Sequence, residues 1–376
     1  MALIGEPDRE RFHRQGGSSA KLVPLFAIAA REKSALVLYL DSAGARVSEG
    51  LEALGAFRRL FREGLAARVA GAPLAVVLGR NCFGGASMLA HLGARRLFSP
   101  GTQLAMSGPS ILAQSAGADA LDEMFRAIAQ AAIGAASRAR TSGANSVWSP
   151  ELDLAAWLRE ALAPAAGPGR RLHERHGSPR RGCEKGLTPR QPEALRRKEL
   201  ERLYPEGYRV IECDGVVTGE ASVKGATVPL LGLVGSSPVG AERAWRFAQS
   251  AWRLSIQAPE RLEVLLDCES HAPRLDDEKV VLSEYLVDMG AALAALASRG
   301  TKIELTILDR GRRRLRGARC ARIARGGLQG GRHPGAPGCG GREHTGAGAT
   351  AWATSPITAR GLADEERTPE DWALVP

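Results

Sequence analysis

Aromatic residues make up only 5% of this 376-residue chain. Their scarcity removes the stacking platforms on which single-strand nucleic-acid binders depend. No run approaches the ~18 unbroken apolar residues of a membrane-spanning helix. Residues 1–14 carry several charges and no apolar stretch, so no secretory leader is expected. The six cysteines, at 82, 183, 213, 268, 320 and 339, follow neither metal-ligand spacing nor regular pairing. That excludes a disulfide framework and fits a reducing, cytoplasmic compartment. What the chain does have is apolar material. It is 44% hydrophobic and 24% charged, over a length that suggests about two to three domains with real cores.

The formal net charge of +10 invites a nucleic-acid reading. Its distribution argues otherwise. Residues 166–203 carry a net +6, and residues 310–349 a net +9, with ten Arg against Glu343 alone in the second window. The other 298 residues sum to −5. Both basic windows are rich in Gly and Pro and hold no aromatics, so neither a nucleic-acid nor a membrane partner is expected.

The apolar run Ala35–Leu40 ends at Asp41-Ser-Ala-Gly44 and reads as a strand and its turn. Leu51, Leu54, Phe57, Leu60, Phe61 and Leu65 then recur at helical spacing, with Glu49 and Glu52 near the start. Gly71-Ala-Pro73 stops that helix, and Leu74–Leu78 is a second strand. The segment from Asn81 opens a short helix through His91. Short strands follow over Ala94–Phe98 and Gln103–Met106, then helices over 110–116, 119–138 and 151–162. Residues 163–190 keep no period and read as a linker, which ends in a helix over Glu193–Leu203. In the second half, Val228–Val234, Leu262–Leu266 and Ile303–Leu308 are strands. Ser236–Leu254 and the stretch from Asp276 through Leu296 are helices. The unit of strand, Asp loop, long helix, Gly and strand occurs twice, which indicates an α/β layered fold built by internal duplication.

In such a unit the loops after neighbouring strands meet at one edge. Gly84-Gly85 is the most informative pair there. Two glycines at a strand-to-helix turn allow close backbone approach, and N–H groups of the new helix can face a developing oxyanion. Ala43-Gly44, after the first strand, is placed to supply a second donor. A plain turn is the alternative reading of the same glycines. No Lys-Ser/Thr follows them, which excludes a phosphate loop. Cys82 reads as a small buried hydrophobe rather than a thiolate, and His91 as a packed or surface residue rather than a base. Asp41 and Asp267 read as turn-forming groups. His173 and His176 lack Cys partners, so no metal site is expected.

Leu40-Asp-Ser-Ala-Gly-Ala-Arg-Val-Ser-Glu-Gly50 resembles the signature loop of crotonase-fold carboxyltransferases. Val77-Leu-Gly-Arg-Asn-Cys-Phe-Gly-Gly-Ala-Ser87, with Leu104-Ala-Met-Ser-Gly-Pro109, is similar to the beta subunit of biotin-independent malonate decarboxylase. Residues 262–308 resemble its gamma subunit more weakly. The resemblance implies a crotonase-like α/β fold of two related ββα spirals, the second incomplete. It implies a beta-type domain over 1–162, a linker over 163–203, a gamma-type domain over 204–309, an aberrant segment over 310–349 and a tail over 350–376. The implied reaction is decarboxylation of a malonyl thioester carried on the phosphopantetheine or CoA-derived group of an acyl carrier protein, with no tightly bound cofactor and no metal. Gly84 and Gly85 would form the main oxyanion hole, with Ala43 and Gly44 shaping the facing loop. Ser42, Phe83, Ser107, Gly108 and Pro109 would line the substrate pocket. His271, in the second-half loop equivalent to Ala43-Gly44, is the candidate from that half. Implied partners are acyl carrier and acyl-transferase subunits, in a homo- or hetero-oligomer. Two other readings stay open: a biotin-dependent acyl-CoA carboxyltransferase, and an inactive pairing scaffold or degraded gene product.

Two features depart from that family. Fewer strands than usual precede the first signature loop, so the first sheet is expected to begin with an open edge. The spacing from Asp41 to Gly84, applied at Asp267, places a second glycine-rich turn at position 310. The sequence there reads Asp309-Arg-Gly-Arg-Arg-Arg-Leu-Arg316, and adjacent Arg cannot be buried without partners. A solvated basic insert and a local shift of reading frame both account for 310–349. Resequencing the gene decides between them. A glycine pair followed by apolar periodicity in the alternative frame supports the shift; its absence removes it.

Overall fold

A computed structural model describes residues 15–44, 50–117, 122–163, 194–235, 238–268, 270–309, 319–323 and 365–367. Most of the linker, of the 310–349 window and of the tail lies outside these residues. The chain divides into two compact units. One comprises residues 1–176 with 272–291, the other 177–271 with 292–376. The second half of the sequence thus contributes a segment to the first unit.

In the first unit, β1 (Leu36–Ser42) turns Leu36, Leu38 and Leu40 inward. β2 (Leu74–Phe83) lies parallel beside it. β3 (Arg95–Phe98), β4 (Gln103–Ala105) and β5 (Asn145–Val147) complete a sheet ordered β1-β2-β3-β5, every pair parallel, with β4 also on β2. β1 is therefore an edge strand among the described residues. β2 runs past the expected Leu78 because a bulge lets it change partner. Leu40 pairs with Leu78 but Ser42 pairs with Cys82, so Asp41 alone faces Gly79, Arg80 and Asn81. Before the bulge β2 pairs with β3, and after it with β4.

The helices cover this sheet. α1 (Gln15–Glu32), which the sequence pattern did not announce, buries Leu22, Phe26 and Ala29. It packs on α2 (Gly50–Val69), where a side chain at Gly64 would collide with Leu92 and press on Phe26. α3 (Gly85–Ala90) and α4 (Pro109–Ser115) follow β2 and β4. The expected helix over 119–138 is two, α5 (Glu123–Ile133) and α6 (Ala135–Thr141). Gly134 breaks it because its backbone bridges to Gln103 and the next N–H goes to the Thr102 carbonyl at 2.8 Å. α7 (Leu154–Ala161) is capped by the Asp153 carboxylate, which accepts from the Ala156 N–H at 3.0 Å. The expected long helix from Asp276 is also two, α10 (Leu275–Lys279) and α11 (Leu282–Ser298). Between them Val281 adopts φ +67°, a conformation a β-branched residue reaches only under strain.

The second unit holds a mixed sheet ordered β12-β11-β10-β9-β8-β7-β6. β6 (Tyr208–Cys213), β7 (Val216–Val223) and β8 (Ala226–Leu233) form an antiparallel meander; of these only β8 was expected. Its two-residue turns are Asp214-Gly215 and Lys224-Gly225, with φ between +50° and +75° at all four positions, as type I′ hairpins require. β9 (Arg261–Leu266) and β10 (Lys302–Asp309) continue parallel to β8. β11 (Arg319–Ile323), inside the second basic window, and β12 (Glu365–Arg367) close the edge antiparallel. α8 (Ala194–Leu203) delivers Leu200 to a core with Val217, Leu230 and Leu265. α9 (Ala241–Gln257) buries Phe247 and Ala251 along its inner face. The parallel pair β9–β10, with α10 and α11 between its strands, repeats the β1–α2–β2 order.

His91 caps the C-terminus of α3, is 3% exposed, and has no hydrogen-bond partner for either ring nitrogen among the described residues. Burial, and after it the Arg96, Arg138 and Arg68 charges, hold it well below its ordinary value against the pull of Glu284. The folded state therefore keeps His91 neutral while the unfolded chain protonates it below pH ~6.5. That contribution costs stability as pH falls through the window. Denaturant unfolding should show His91→Leu gaining on wild type by about 1.4 kcal/mol for each pH unit below that point. A pH-independent difference would contradict the buried neutral histidine.

Candidate active site

Parallel strands bring their following loops to one edge, where ligands of open α/β sheets bind. Ser42, Ala43 and Gly44 lie at the end of β1, and Phe83, Gly84 and Gly85 at the end of β2. Ser107, Gly108 and Pro109 follow β4, whose partner is the last stretch of β2. Nine of the ten sequence candidates thus share this edge. His271 belongs to the second unit, where it bridges Val239 and sits 3.2 Å from the Ser270 hydroxyl. Burial lowers its pKa from the ordinary value.

Asp41 does not form the local turn expected of it. Its carboxylate crosses to the neighbouring strand and accepts the Arg80 N–H at 3.2 Å and the Asn81 N–H at 3.0 Å. The bulge in β2 exposes those two donors, and Asp41 satisfies them. Asp267 acts alike in the second unit, accepting the Gly235 N–H at 3.3 Å. The local turn after β1 is made instead by Ser42, whose hydroxyl accepts the Gly44 N–H at 3.2 Å, with Gly44 at φ +111°. A side chain at Gly79 would lie 2.6 Å from the Asp41 Cβ, so only glycine fits there.

Gly84 adopts φ +61°, ψ −132°, open to glycine alone. Its N–H is shared between the Ala105 and Met106 carbonyls, both at 3.2 Å, and its carbonyl accepts the Ser87 N–H and hydroxyl. The donor expected at Gly84 is therefore engaged inside the fold. The N–H groups of Gly85 and Ala86, at the start of α3, meet no acceptor among the described residues. Phe57 packs so near Gly85 that a Cβ there would lie 2.5 Å from its ring. Cys82 is fully buried, and burial followed by the Asp41 charge pushes its thiol up, so it packs as a hydrophobe. Phe83 packs against the cluster of Ala105, Ala132 and Ile133, and its ring lies 3.3 Å from where a Cβ at Gly108 would stand. Gly108 caps α4 and Pro109 opens it, where the missing N–H costs nothing.

The sequence did not reveal what shapes the loop after β4. Glu278 of α10 accepts the Ser107 N–H at 2.8 Å and the Met106 N–H at 3.2 Å. Arg138 of α6 faces it: Nη2 lies 3.6 Å from its carboxylate, Nη1 donates to its carbonyl at 2.7 Å, and Nε donates to the Leu104 carbonyl at 2.9 Å. Both side chains are fully buried. Burial raises Glu278 to about 7 against the pull of Arg138 and the two amides, and lowers Arg138 to about 10. Among the described residues no group of three His, Cys, Asp or Glu could hold a metal ion, and no helix is long and apolar enough to cross a membrane.

No protein-family model and no curated protein matches the chain. Solved structures of carboxyltransferases and of malonate decarboxylase are similar to it. Transcarboxylase 12S, with hydrolysed methylmalonyl-coenzyme A bound, is 18% identical over 77% of this chain and 58% of its own, with a TM-score of 0.31. A Pseudomonas malonate decarboxylase hetero-dimer is 24% identical over 43% of this chain and 70% of its own, with a TM-score of 0.35. The beta subunit of geranyl-CoA carboxylase from P. aeruginosa is 17% identical over 77% and 54%, with a TM-score of 0.32. The chain spans little more than half the length of the transcarboxylase and geranyl-CoA carboxylase chains.

The contact between Gly79 and Asp41 is open to a double-mutant cycle. Gly79→Ala should cost about 1–3 kcal/mol in urea unfolding by forcing the Asp41 carboxylate away from its two amides. Asp41→Gly in the same background, which removes the Cβ as well as the carboxylate, should recover part of that loss. Additive losses would show that the two positions do not meet.

Proposed function

We propose that the turn at Gly84–Gly85 holds the carbonyl oxygen of a malonyl thioester during decarboxylation. The observation that carries this reading is the pair of backbone donors, Gly85 and Ala86, that meet no acceptor among the described residues at the carboxyl edge of β1, β2 and β4. Cleavage of the bond to the carboxylate releases CO2 and sends its electron pair onto the thioester carbonyl. The oxygen becomes an enolate, which the two N–H groups stabilise, and a proton from solvent at carbon then gives the acetyl thioester. A preorganised backbone donor is worth about 10²–10³ in kcat, because it needs no reorganisation as charge develops. The buried Cys82 and the packed His91 leave this edge without a nucleophile or base from those residues, which suits a reaction that needs only charge stabilisation. The crotonase-like assignment, the carrier-protein partner and the oligomeric setting belong to the same proposal. They rest on the signature residues Leu40–Gly50, Val77–Ser87 and Leu104–Pro109.

The test is turnover by the full chain, supplied with malonyl-CoA and with malonyl-carrier protein, following CO2 and the acetyl thioester. Gly84→Ala, which meets open space but forbidden backbone, should lower kcat at least about a hundredfold with the protein still folded. Wild-type turnover from a folded Gly84→Ala chain would remove this turn from the chemistry. No turnover by folded wild type on either substrate would favour the scaffold.

A further inference from the structure

We propose that Glu278 is a positioning residue for the Gly84–Gly85 turn, acting through the two peptide groups that flank Met106. The inference rests on the function given above to that turn. The Ala105–Met106 peptide presents its oxygen to the Gly84 N–H and its own N–H to Glu278. The next peptide, Met106–Ser107, repeats the pattern, with its oxygen on Gly84 and its N–H on Glu278. One carboxylate thus sets the planes of two successive peptides whose oxygens together hold the turn. Arg138 extends the grip one peptide further back through the Leu104 carbonyl. Rotation of either peptide would release Gly84 and redirect the Gly85 and Ala86 donors that follow it.

A merely structural part would be filled as well by apolar packing. Two buried charges cost more to desolvate than side chains of similar volume, and such pairs are often replaced by hydrophobic residues without loss of stability. The backbone adds to the cost. Val281 at φ +67° interrupts what the apolar stripe would otherwise make one helix, and Glu278 lies on the short α10 that results. The Val281 N–H returns to the Glu278 carbonyl at 2.9 Å, the same oxygen that Arg138 binds. The strained Val281 lies three residues from the buried, charged Glu278, whose carboxylate touches the loop beside the turn.

The informative variant is Arg138→Gln with Glu278→Gln, because Glu278→Gln alone leaves a buried guanidinium uncompensated. In the full chain, amide hydrogen exchange at Gly84, Met106 and Ser107 should accelerate about tenfold while β3 keeps its protection. Turnover of the malonyl thioester should fall about tenfold in kcat with KM unchanged. Glu278→Asp, which keeps the charge and the acceptors, should recover part of both. If the paired variant unfolds, Glu278→Asp carries the comparison, since its shorter reach should still quicken exchange at those three amides. Wild-type exchange there in a folded variant overturns the proposal. A wild-type chain without turnover overturns the function proposed for the turn, and the exchange rates still decide for or against Glu278.

Discussion

The buried contact of Arg138 with Glu278 is the constraint on which the candidate site depends. Arg138 comes from α6, in the first half of the sequence, and Glu278 from α10, far downstream, yet both belong to the same compact unit. The pair fixes three consecutive peptides from Leu104 to Ser107. Two of those peptides take the Gly84 N–H, and the turn at Gly84 aims the start of α3. An unpaired charge at either position would stand in a dry interior, where breaking such a pair costs about 3–5 kcal/mol. The site and the stability of the first unit are thus tied to the same two side chains.

A second constraint recurs in both units. Each has an aspartate at the end of a parallel strand, and each carboxylate accepts backbone N–H across the sheet, from Arg80 and Asn81 in the first unit and from Gly235 in the second. In the first unit this allows β2 to bulge, and the bulge gives it two partners in succession, β3 and then β4. Without that change of partner, the loop after β4 would not reach the end of β2. The repeat seen in the sequence therefore carries a physical device as well as an order of elements.

Much of the fold was legible because it is written in local pattern. The apolar runs at Leu36–Leu40, Leu74–Leu78 and Leu262–Leu266 and the stripe along α2 specify their elements almost alone. Asp214-Gly215 between alternating apolar residues was an available hairpin signal, and reading it would have found β6 and β7. Gly79-Arg80 looks like the end of a strand because its open donors find their acceptor in another strand, which no local window contains. The break at Gly134 is likewise imposed by partners elsewhere in the chain, the bridge to Gln103 and the Thr102 carbonyl. At the site, the glycines and the Ser107–Pro109 segment were visible as residue types. That Gly84 donates inward, and that Glu278 sets the loop beside it, depends on contacts between segments distant in sequence.

The central claim is that the donors after Gly84 receive a thioester carbonyl. A crystal structure of the full chain with a malonyl thioester analogue that cannot lose CO2 tests it most directly. The account predicts the carbonyl oxygen within about 2.7–3.1 Å of the Gly85 nitrogen, with the Gly84 N–H still on the Ala105 and Met106 carbonyls. A carbonyl bound to other donors, with water on the Gly85 N–H, would contradict it.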